Sequence, residues 1–398
     1  MNAHAEDTIE AIRFVGNKVT KEETMRLEMI VHEGDPVDIA KIEKSVQNIM
    51  DLGIFQKVSY YLEQTGPDRG TDLVIVVIEP FYWYALPTFK LNDDSQLEVG
   101  ARLKWNNLWG YNHTMLITGT DQGYRGGVQE YSSSFDYTMP RFMISRYALS
   151  IRLGRSQRLD NDNDLGDQRE ITKDYGFSVS KWLNDDGISF GPFLGAGVDF
   201  QQQYNEAVDP ANESDGYYDN IIYSVTLGTD ETHKYEFQRG GNHLVYDVSF
   251  SSSFFQQAVS YRRYRILSKE NVTNINYLVS AGLADNNRLG NAAFSLGGNS
   301  SLRGYKKDSY RGNIFYRASI EYLTKFNRSP LVRKAFFLDL GDIHDEFSDF
   351  RFSTIKYGAG AGIRWKARRF VNIDIRLDIA YGFQSRDLRV VLGSHNTF

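Results

Sequence analysis

The residues with the clearest chemical potential lie in one glycine-rich stretch of the C-terminal half. Ser300-Ser301-Leu302-Arg303-Gly304-Tyr305 stands inside a run, Phe294 to Asn313, whose four glycines prevent a continuous strand or helix. A long turn-rich connection between regular strands is usually either functional or disordered. Because an unpaired buried guanidinium is costly, a loop that folds inward predicts a buried acidic partner for Arg303. A loop on the surface would instead leave Arg303 in solvent.

The neighbours of Arg303 suit an inward loop. The guanidinium offers a planar fork to a carboxylate, which a lysine cannot reproduce. Gly304 permits a tight backbone turn, and the ring of Tyr305 can lie flat against an inner wall. These are structural roles, so we expect no catalytic residue and no enzyme activity.

Composition favours an all-β membrane protein. The chain has 398 residues, no cysteine, 25 Tyr, 25 Phe, 34 Gly and only 8 Pro. Aromatic residues and glycine in short alternating runs are typical of a membrane β-barrel, and no run reaches the roughly 18 apolar residues of a spanning helix. The net charge of −6 argues against nucleic acid as a partner. The histidines lack ligand spacing, and we expect no metal and no cofactor.

From Phe81 onward, apolar residues alternate with polar or small ones. The clearest run is Val371 to Phe383, and similar runs lie at 314–322 and 355–365. The pattern predicts about sixteen antiparallel strands over residues 81–398, with one face toward lipid and the other toward the lumen. A soluble sandwich or propeller also alternates, but would not place Asp374, Arg376 and Asp378 on a face needed for a second core.

Residues 8–80 have a different pattern and predict a small α+β domain of order βααββ, after a tail at 1–7. The tail lacks an apolar signal region, so we expect a processed or truncated form. The first helix is expected to start at Thr20, to use Leu27 and Ile30 as its apolar face, and to end at Gly34-Asp35-Pro36. The remaining elements are a strand at 8–15, a helix from Asp38 to Gly53, and strands at 55–62 and 73–78.

Two further motifs carry no function in this interpretation. Gly187-Ile188-Ser189-Phe190-Gly191 matches a hydrolase nucleophile elbow, but that motif needs a strand-to-helix turn. The alternation here continues through Phe200, so we expect Ser189 to be a small residue facing the lumen. The acidic run 160–166 resembles the start of a calcium loop but has its glycine one position late and lacks the closing glutamate.

The N-terminal domain resembles a POTRA domain, the periplasmic polypeptide-binding module of outer-membrane assembly and secretion barrels. The matching segments are Ile12 to Asn17, Gly53 to Val58 and the strand before Glu79-Pro80. The resemblance implies that the module holds clients by adding a strand to an exposed sheet edge.

The remainder of the chain resembles the superfamily of BamA, TamA and two-partner secretion barrels. Leu302-Arg303-Gly304-Tyr305 matches the family's (Val/Leu)-Arg-Gly-(Phe/Tyr) motif, and Phe337-Leu338-Asp339-Leu340-Gly341 matches its Phe-x-Asp-x-Gly pattern. The resemblance implies that a loop at 285–312, between the eleventh and twelfth strands, folds into the lumen. It also implies that Arg303 pairs with Asp339, with an inward Glu321 nearby.

We therefore expect an outer-membrane barrel that assembles, inserts or translocates polypeptide clients, with its N-terminal domain in the periplasm. Clients would insert at a lateral seam where the first strand meets the last, formed by Tyr84, Leu86, Leu388, Val390 and Leu392. Expected partners are outer-membrane lipid and lipopolysaccharide, a periplasmic polypeptide, and a lipoprotein or second copy. Two alternatives stay open: the membrane anchor of a patatin-like lipase fusion, and a passive diffusion channel.

Overall fold

The computed structural model describes residues 8–64, 70–91, 97–160, 166–214, 216–285, 293–298, 300–370 and 374–393. These residues form a small N-terminal module and one large antiparallel sheet. Within the described ranges, no helix is long and apolar enough to cross a membrane. Four parts of the sequence interpretation lie outside the described residues: the connection at 65–69 between the last two strands of the module, the strand start at Val371, residues 161–165 of the acidic run, and the tail beyond Gly393.

The N-terminal module has the predicted order of elements. They are β1 (Ile9–Val15), α1 (Glu22–Arg26), α2 (Ile39–Asp51), β2 (Lys57–Gln64) and β3 (Thr71–Ile78). The sheet order is β1-β3-β2, with β1 parallel and β2 antiparallel to the central β3. β2 is therefore an edge strand.

Helix α2 follows directly from its sequence. The Asp38 carboxylate accepts hydrogen bonds from the backbone N–H groups of Ala40 and Lys41 and so caps the helix. Ile42 and Ile49, two turns apart, are fully buried against the module's sheet. Gly53 follows the helix with φ of +72°, a conformation that favours glycine.

The prediction for the first helix was wrong in its bounds. Helix α1 covers only Glu22 to Arg26 and ends well before Gly34, and its N-cap residue is Lys21 rather than Thr20. The chain leaves the helix early because Met29 and Val31 are buried in the module core. Leu27 and Ile30 consequently lie beyond the helix and do not form its apolar face.

The large sheet contains sixteen strands, which confirms the predicted number, and each strand is antiparallel to its neighbours. A separate two-stranded sheet, β15 with β16, lies in the connection between its eleventh and twelfth strands. The strands from Trp83 onward are β4 (Trp83–Leu91), β5 (Leu97–Leu108), β6 (His113–Arg125), β7 (Val128–Met139), β8 (Tyr147–Asp160), β9 (Gln168–Trp182), β10 (Gly191–Ala207), β11 (Gly216–Lys234), β12 (Arg239–Phe250), β13 (Phe255–Ser268), β14 (Thr273–Asp285), β15 (Phe294–Leu296), β16 (Tyr310–Gly312), β17 (Ile314–Phe326), β18 (Ser329–His344), β19 (Lys356–Lys366), β20 (Asp374–Gly382) and β21 (Asp387–Gly393).

The two faces of this sheet differ as the alternation predicts. On β20, Leu377, Ile379 and Tyr381 are exposed on the outer face, whereas Asp378 and Ala380 on the inner face are fully buried. A side-chain period of two produces this division along each strand. The outer face is thus apolar and the inner face charged or small.

Ser189 does not lie on a strand, which corrects the expectation that it faces the lumen. Strand β10 begins only at Gly191, and Ser189 belongs to the turn that joins β9 to β10. Its backbone N–H and its hydroxyl both donate to the carboxylate of Glu28 in the N-terminal module. The alternating strand therefore begins at Gly191, three residues later than Ile188, where the sequence pattern begins.

The connection between β14 and β17, which we call the inward loop, folds back across the inner face. Its described residues are 293–298 and 300–313. Leu296, Leu302 and Tyr305 pack with Ile343 of β18 in a small buried cluster. Because β14 and β17 pair directly with each other, the loop leaves the sheet and returns to it without interrupting the strand order.

Candidate functional site

Arg303 of the inward loop is fully buried against β18. Its Nε donates to Asp339 Oδ2 and its Nη2 to Asp339 Oδ1, both at 2.7 Å, in a two-point contact. The backbone N–H of Arg303 also donates to Asp339 Oδ2, at 3.1 Å. The guanidinium carbon lies 3.5 Å from the centre of the Phe337 ring. The side chain is therefore fixed by a carboxylate in its plane and by an aromatic face beside it.

A second carboxylate extends this contact into a charge network. Glu321 of β17 accepts from Arg303 Nη1 at 2.7 Å and from Arg364 Nη2 at 2.8 Å through the same oxygen, Oε2. Arg364 of β19 in turn contacts both carboxylate oxygens of Asp378 on β20. All of these side chains are at most 2% exposed. Four adjacent strands and one loop therefore converge on a single buried network.

The charges of the network nearly cancel. Arg303 and Arg364 face three carboxylates, those of Glu321, Asp339 and Asp378, and Arg376 lies in register with Arg364 on the neighbouring strand. Burial alone would lower the pKa of the Arg303 guanidinium, but the hydrogen bond and charge of Asp339, with Glu321, raise it above its ordinary value. Arg303 is thus a permanent cation whose removal would leave buried carboxylates without a partner.

Glycine makes room for the loop on both sides of this contact. Gly304 has φ of +95°, and a Cβ there would lie 2.6 Å from the backbone nitrogen of Gly382. On β19, a Cβ at Gly358 would lie 2.2 Å from the carbonyl oxygen of Arg303. A Cβ at Gly362 would overlap the Asp378 carboxylate. The inner face of β19 therefore has no side chains at the two positions where the loop and the charge network approach its backbone.

Tyr305 holds the loop on the other side of Gly304. Its ring is buried, and its hydroxyl donates to the carbonyl oxygen of Tyr357 at 2.7 Å. The same hydroxyl contacts the side chain of Gln384, in the connection between β20 and β21. The loop is thus attached to β18, β17 and β19 and to the last connection of the sheet.

The structure brings together Arg303, Asp339 and Glu321, the three charged residues named from the sequence, and adds Arg364 and Asp378. Alternation could have found the added pair, because Arg364 and Asp378 occupy the inner-face parity of their strands. What the sequence could not supply is the register between β19 and β20, which sets Gly362 opposite Asp378 and leaves the carboxylate free to reach Arg364.

The predicted seam residues lie on the first and last strands of the large sheet. Among the described residues, β4 and β21 are the two ends of the strand order and form no ladder with each other. Leu388, Val390 and Leu392 of β21 are about 70% exposed, at 69%, 69% and 71%. Tyr84 is buried on the opposite, inner face of β4, and Leu86 shares that parity. The five residues therefore do not share one face.

The N-terminal module contacts the turns at one end of the large sheet. Glu28 is 1% exposed and accepts from Arg141 Nη2 at 2.6 Å, in the β7–β8 connection, as well as from Ser189. Asp51, the last residue of α2, accepts from the backbone N–H of Lys234 at 2.7 Å and lies 2.7 Å from His233 Nδ1. These contacts could not be predicted from the sequence, because the partners are far apart along the chain.

A third contact secures the link between module and sheet. Glu79 accepts hydrogen bonds from the backbone and hydroxyl of Thr20, and the Thr20 hydroxyl lies 3.1 Å from that of Tyr82. Asn107, near the end of β5, donates to the Thr20 hydroxyl at 2.8 Å. Burial raises the pKa of the Tyr82 phenol above its ordinary value, although the Thr20 hydrogen bond acts in the opposite direction.

Known families match both parts of the chain. The model of the Omp85 superfamily domain matches residues 107–388. The POTRA model, described as a surface antigen variable number repeat, matches residues 8–79. The outer membrane protein assembly factor BamA of Nitratidesulfovibrio vulgaris is 22% identical over 402 residues, covering 92% of this chain and 47% of that protein. The chain thus spans about half the length of this curated relative.

Solved structures share the fold. CdiB from Escherichia coli aligns with a TM-score of 0.67 and 17% identity, over 98% of this chain and 75% of that chain. CdiB from Acinetobacter baumannii gives 0.64 and 13%, over 96% and 73%. BamA from Haemophilus ducreyi lacking POTRA domains 1–3 gives 0.55 and 14%, over 98% and 85%.

These matches confirm the expected family, fold class and location. The sixteen-stranded sheet is the β-barrel of this family, with its inner face toward the lumen. The module lies at the periplasmic end, and the turns it contacts are the periplasmic turns. The chain belongs to the Omp85 superfamily of outer-membrane β-barrel proteins, and carries a POTRA module before its barrel.

Proposed function

We propose that this protein receives polypeptide clients in the periplasm through its POTRA module and inserts them into the outer membrane or passes them across it. In this proposal the inward loop is a fixed structural part of the lumen, and the Arg303–Asp339 contact keeps it there. No covalent chemistry on the client is required.

The observation that carries the proposal is the edge position of β21, which pairs only with β20 among the strands that the structure describes. Its three outward apolar residues, Leu388, Val390 and Leu392, are 69–71% exposed, whereas outward residues on interior strands, such as Tyr223 of β11, are 47% exposed. The difference arises because an edge strand has a neighbour on one side only. An edge with free N–H and C=O groups can add a strand from another chain.

The opposite edge has a compatible feature. Strand β4 contains Pro87, which pairs with Ala101 of β5 and has no N–H to donate. Proline within a sheet is found on edge strands, where its missing donor interrupts no ladder. Together, β4 and β21 provide two strand edges between which a client strand could be accommodated.

The position of the inward loop favours this function over a passive diffusion channel. A diffusion channel needs an open lumen, whereas here Leu302, Arg303 and Tyr305 are buried against the inner wall at β17 to β19. The similarities are to BamA, an outer membrane protein assembly factor, and to CdiB structures that share the fold of this chain. They support a role with polypeptides but leave insertion and translocation as two forms of the proposal.

Cysteine crosslinking tests the proposal directly, because the native sequence contains no cysteine. We would reconstitute Leu388→Cys in liposomes and add a denatured eight-stranded membrane barrel that carries one cysteine in its last strand. The matched control is Tyr223→Cys, on an outward position whose strand is paired on both sides. We expect disulfide formation with Leu388→Cys during assembly of the added barrel, and none with Tyr223→Cys.

Equal crosslinking at the two positions would indicate random collision in the membrane and contradict client binding at the β21 edge. A parallel experiment without residues 8–80 tests the role of the module. We expect deletion of the module to slow crosslinking at Leu388→Cys without changing the heat-modifiable mobility of the barrel itself.

A further inference from the structure

A cavity of about 80 Å³ lies where the module meets the lumen, and its walls carry more cations than carboxylates. Five lining residues are basic, and three are acidic. The basic residues are Lys234, Arg239, Arg333, Lys366 and Arg368; the acidic residues are Glu236, Glu321 and Asp374.

Two of the three carboxylates already form ion pairs with other cations. Glu236 contacts Arg368 at 3.0 Å, and Glu321 is shared by Arg303 and Arg364 of the network. The amino group of Lys234 donates to the carbonyl oxygen of Asp51 at 2.6 Å. Asp374 is the third carboxylate of the lining, and its charge acts on Arg333 and Lys366.

These three cations come from separate strands and face one another. Arg239 lies on β12, Arg333 on β18 and Lys366 on β19, each at the inner-face parity of its strand. Arg333 and Lys366 each interact electrostatically with Arg239 and with Asp374. In the part of the chain that the structure describes, none of the three has a carboxylate within 4 Å. Their mutual repulsion would be relieved by an added anion.

The cavity is also lined by two asparagine side chains whose oxygens can accept hydrogen bonds from a ligand. The side-chain oxygens of Asn274 and Asn276 on β14 are buried and have no hydrogen-bond partner among the described residues. Both asparagines are almost fully buried, with 1% and 7% of their surface exposed. A ligand that satisfies this cavity therefore presents an anion and also N–H groups. A polypeptide segment with a carboxylate has both.

A groove on the module leads into the cavity. It runs between α2 and β2, has a volume of about 210 Å³, and is lined by residues such as Val46, Lys57 and Tyr60. Groove and cavity share Met50, Gln56, Tyr235 and Glu236 along their borders. The groove follows β2, the edge strand of the module, so an extended segment that pairs with β2 has its end directed toward the cations.

We propose that this cavity binds a carboxylate carried by an extended polypeptide segment that lies in the groove between α2 and β2. Arg239, Arg333 and Lys366 hold the carboxylate, and the buried asparagine oxygens accept from the segment's N–H groups. The carboxylate is either a chain terminus or an acidic side chain. The inference rests on the proposed function, because both require a polypeptide client.

The test uses fluorescence anisotropy with the full chain folded in detergent and three labelled peptides of one alternating apolar sequence. The first ends in a free carboxylate, the second in an amide, and the third in an amide but contains one internal glutamate. We expect the free acid to bind about tenfold more tightly than the amide, as a charge-assisted contact requires. If the third peptide binds as tightly as the free acid, the site accepts an acidic side chain. If the third peptide binds as weakly as the plain amide, the site is specific for a chain terminus.

Two variants remove cavity cations, Arg333→Gln and Lys366→Gln. Lys334→Gln is the matched control, because Lys334 follows Arg333 on β18 but is exposed on the outer face. We expect each cavity variant to reduce the difference between acid and amide to about twofold or less, and the control to leave it unchanged. Heat-modifiable mobility establishes that all variants are folded.

The outcomes separate the two proposals. If acid and amide bind with equal affinity and Arg333→Gln has no effect, the carboxylate site is wrong while client binding by the module stands. If no peptide binds, the polypeptide occupant and the proposed function both fail. If inorganic phosphate binds in the cavity and the acid peptide does not displace it, the cavity is an anion site but not one for polypeptide.

Discussion

Arg303 and Asp339 form a two-point contact in which Nε and Nη2 each lie 2.7 Å from a different carboxylate oxygen. Neither side chain has any solvent exposure. The contact joins a loop to a strand 36 residues later, so it can form only when the loop is folded back against the inner wall. Loss of either partner would leave an uncompensated charge in a buried position.

Asp339→Asn should destabilise the barrel more than Glu321→Gln does. Asp339 accepts hydrogen bonds from three donors of Arg303, whereas Glu321 accepts from a fourth, Nη1, and also from Arg364. Removing one partner of a buried ion pair typically costs about 3–5 kcal/mol, and we expect Asp339→Asn to fall in that range. Urea unfolding in detergent, followed by heat-modifiable mobility, measures the difference. An equal loss in both variants would contradict the larger role of Asp339.

Gly358→Ala should displace the inward loop although it changes no charge. The added Cβ would lie 2.2 Å from the carbonyl oxygen of Arg303, so either the loop or β19 must move. We expect a loss of about 1–3 kcal/mol and faster protease cleavage in the loop. Gly119→Ala on β6 is the control, because nothing lies within 4 Å of a Cβ at that position. Similar behaviour of the two variants would mean that the close approach at Gly358 does not hold the loop.

Glu28→Ala should release the module from the periplasmic turns. Arg141 is 7% exposed and would lose its carboxylate, and Ser189 would lose the acceptor of two hydrogen bonds. Spin labels at Tyr61→Cys in β2 and Lys269→Cys in the β13–β14 connection would report the separation of module and barrel. We expect a broad distance distribution in Glu28→Ala and a narrow one in the parent. In Glu22→Ala, which removes an exposed carboxylate, a narrow distribution should persist.

Features of the fold and the site could be predicted from the sequence where they are local. Features that arise from packing between distant residues could not. The period-two alternation of β20 and the glycine-rich composition around Arg303 are local, and they predicted the strand number and the position of the loop. Helix α1 is short because Met29 and Val31 are buried in the core and Glu28 reaches Arg141. Arg141 is more than 100 positions from Glu28, and the core around Met29 and Val31 includes residues as distant as Tyr82, so local propensity could not anticipate these contacts.

The sequence predicted that Arg303 would have a buried acidic partner, but it did not predict how many residues the charge network contains. A buried Arg303 requires a carboxylate, and the family resemblance pointed to Asp339 and Glu321. The second arginine, Arg364, became part of the network only through strand register. The inner-face glycines of β19 likewise look like ordinary barrel residues until Gly358 is placed opposite the Arg303 backbone.

High pH should weaken the link between module and barrel through Tyr82. Burial raises the pKa of this phenol from its ordinary value of 10.0, so the folded state retains the proton more strongly than the unfolded state. The stability that Tyr82 contributes is therefore complete below pH 10.0 and is lost as pH rises above it. We expect the free energy of unfolding of the parent to fall more steeply above that pH than that of Tyr82→Phe. Parallel slopes for the two proteins would contradict this role.

The most direct test of the central claim, that Arg303 and Asp339 hold the inward loop in the lumen, is a double-mutant cycle read by hydrogen exchange. The four proteins are the parent, Arg303→Gln, Asp339→Asn and the double variant, and the observable is exchange of the backbone amides at 300–305. If the two residues act as one contact, each single variant speeds exchange strongly and the double variant is no faster than the faster single variant. Equal protection of these amides in all four proteins, with the barrel folded, would mean that the contact does not hold the loop.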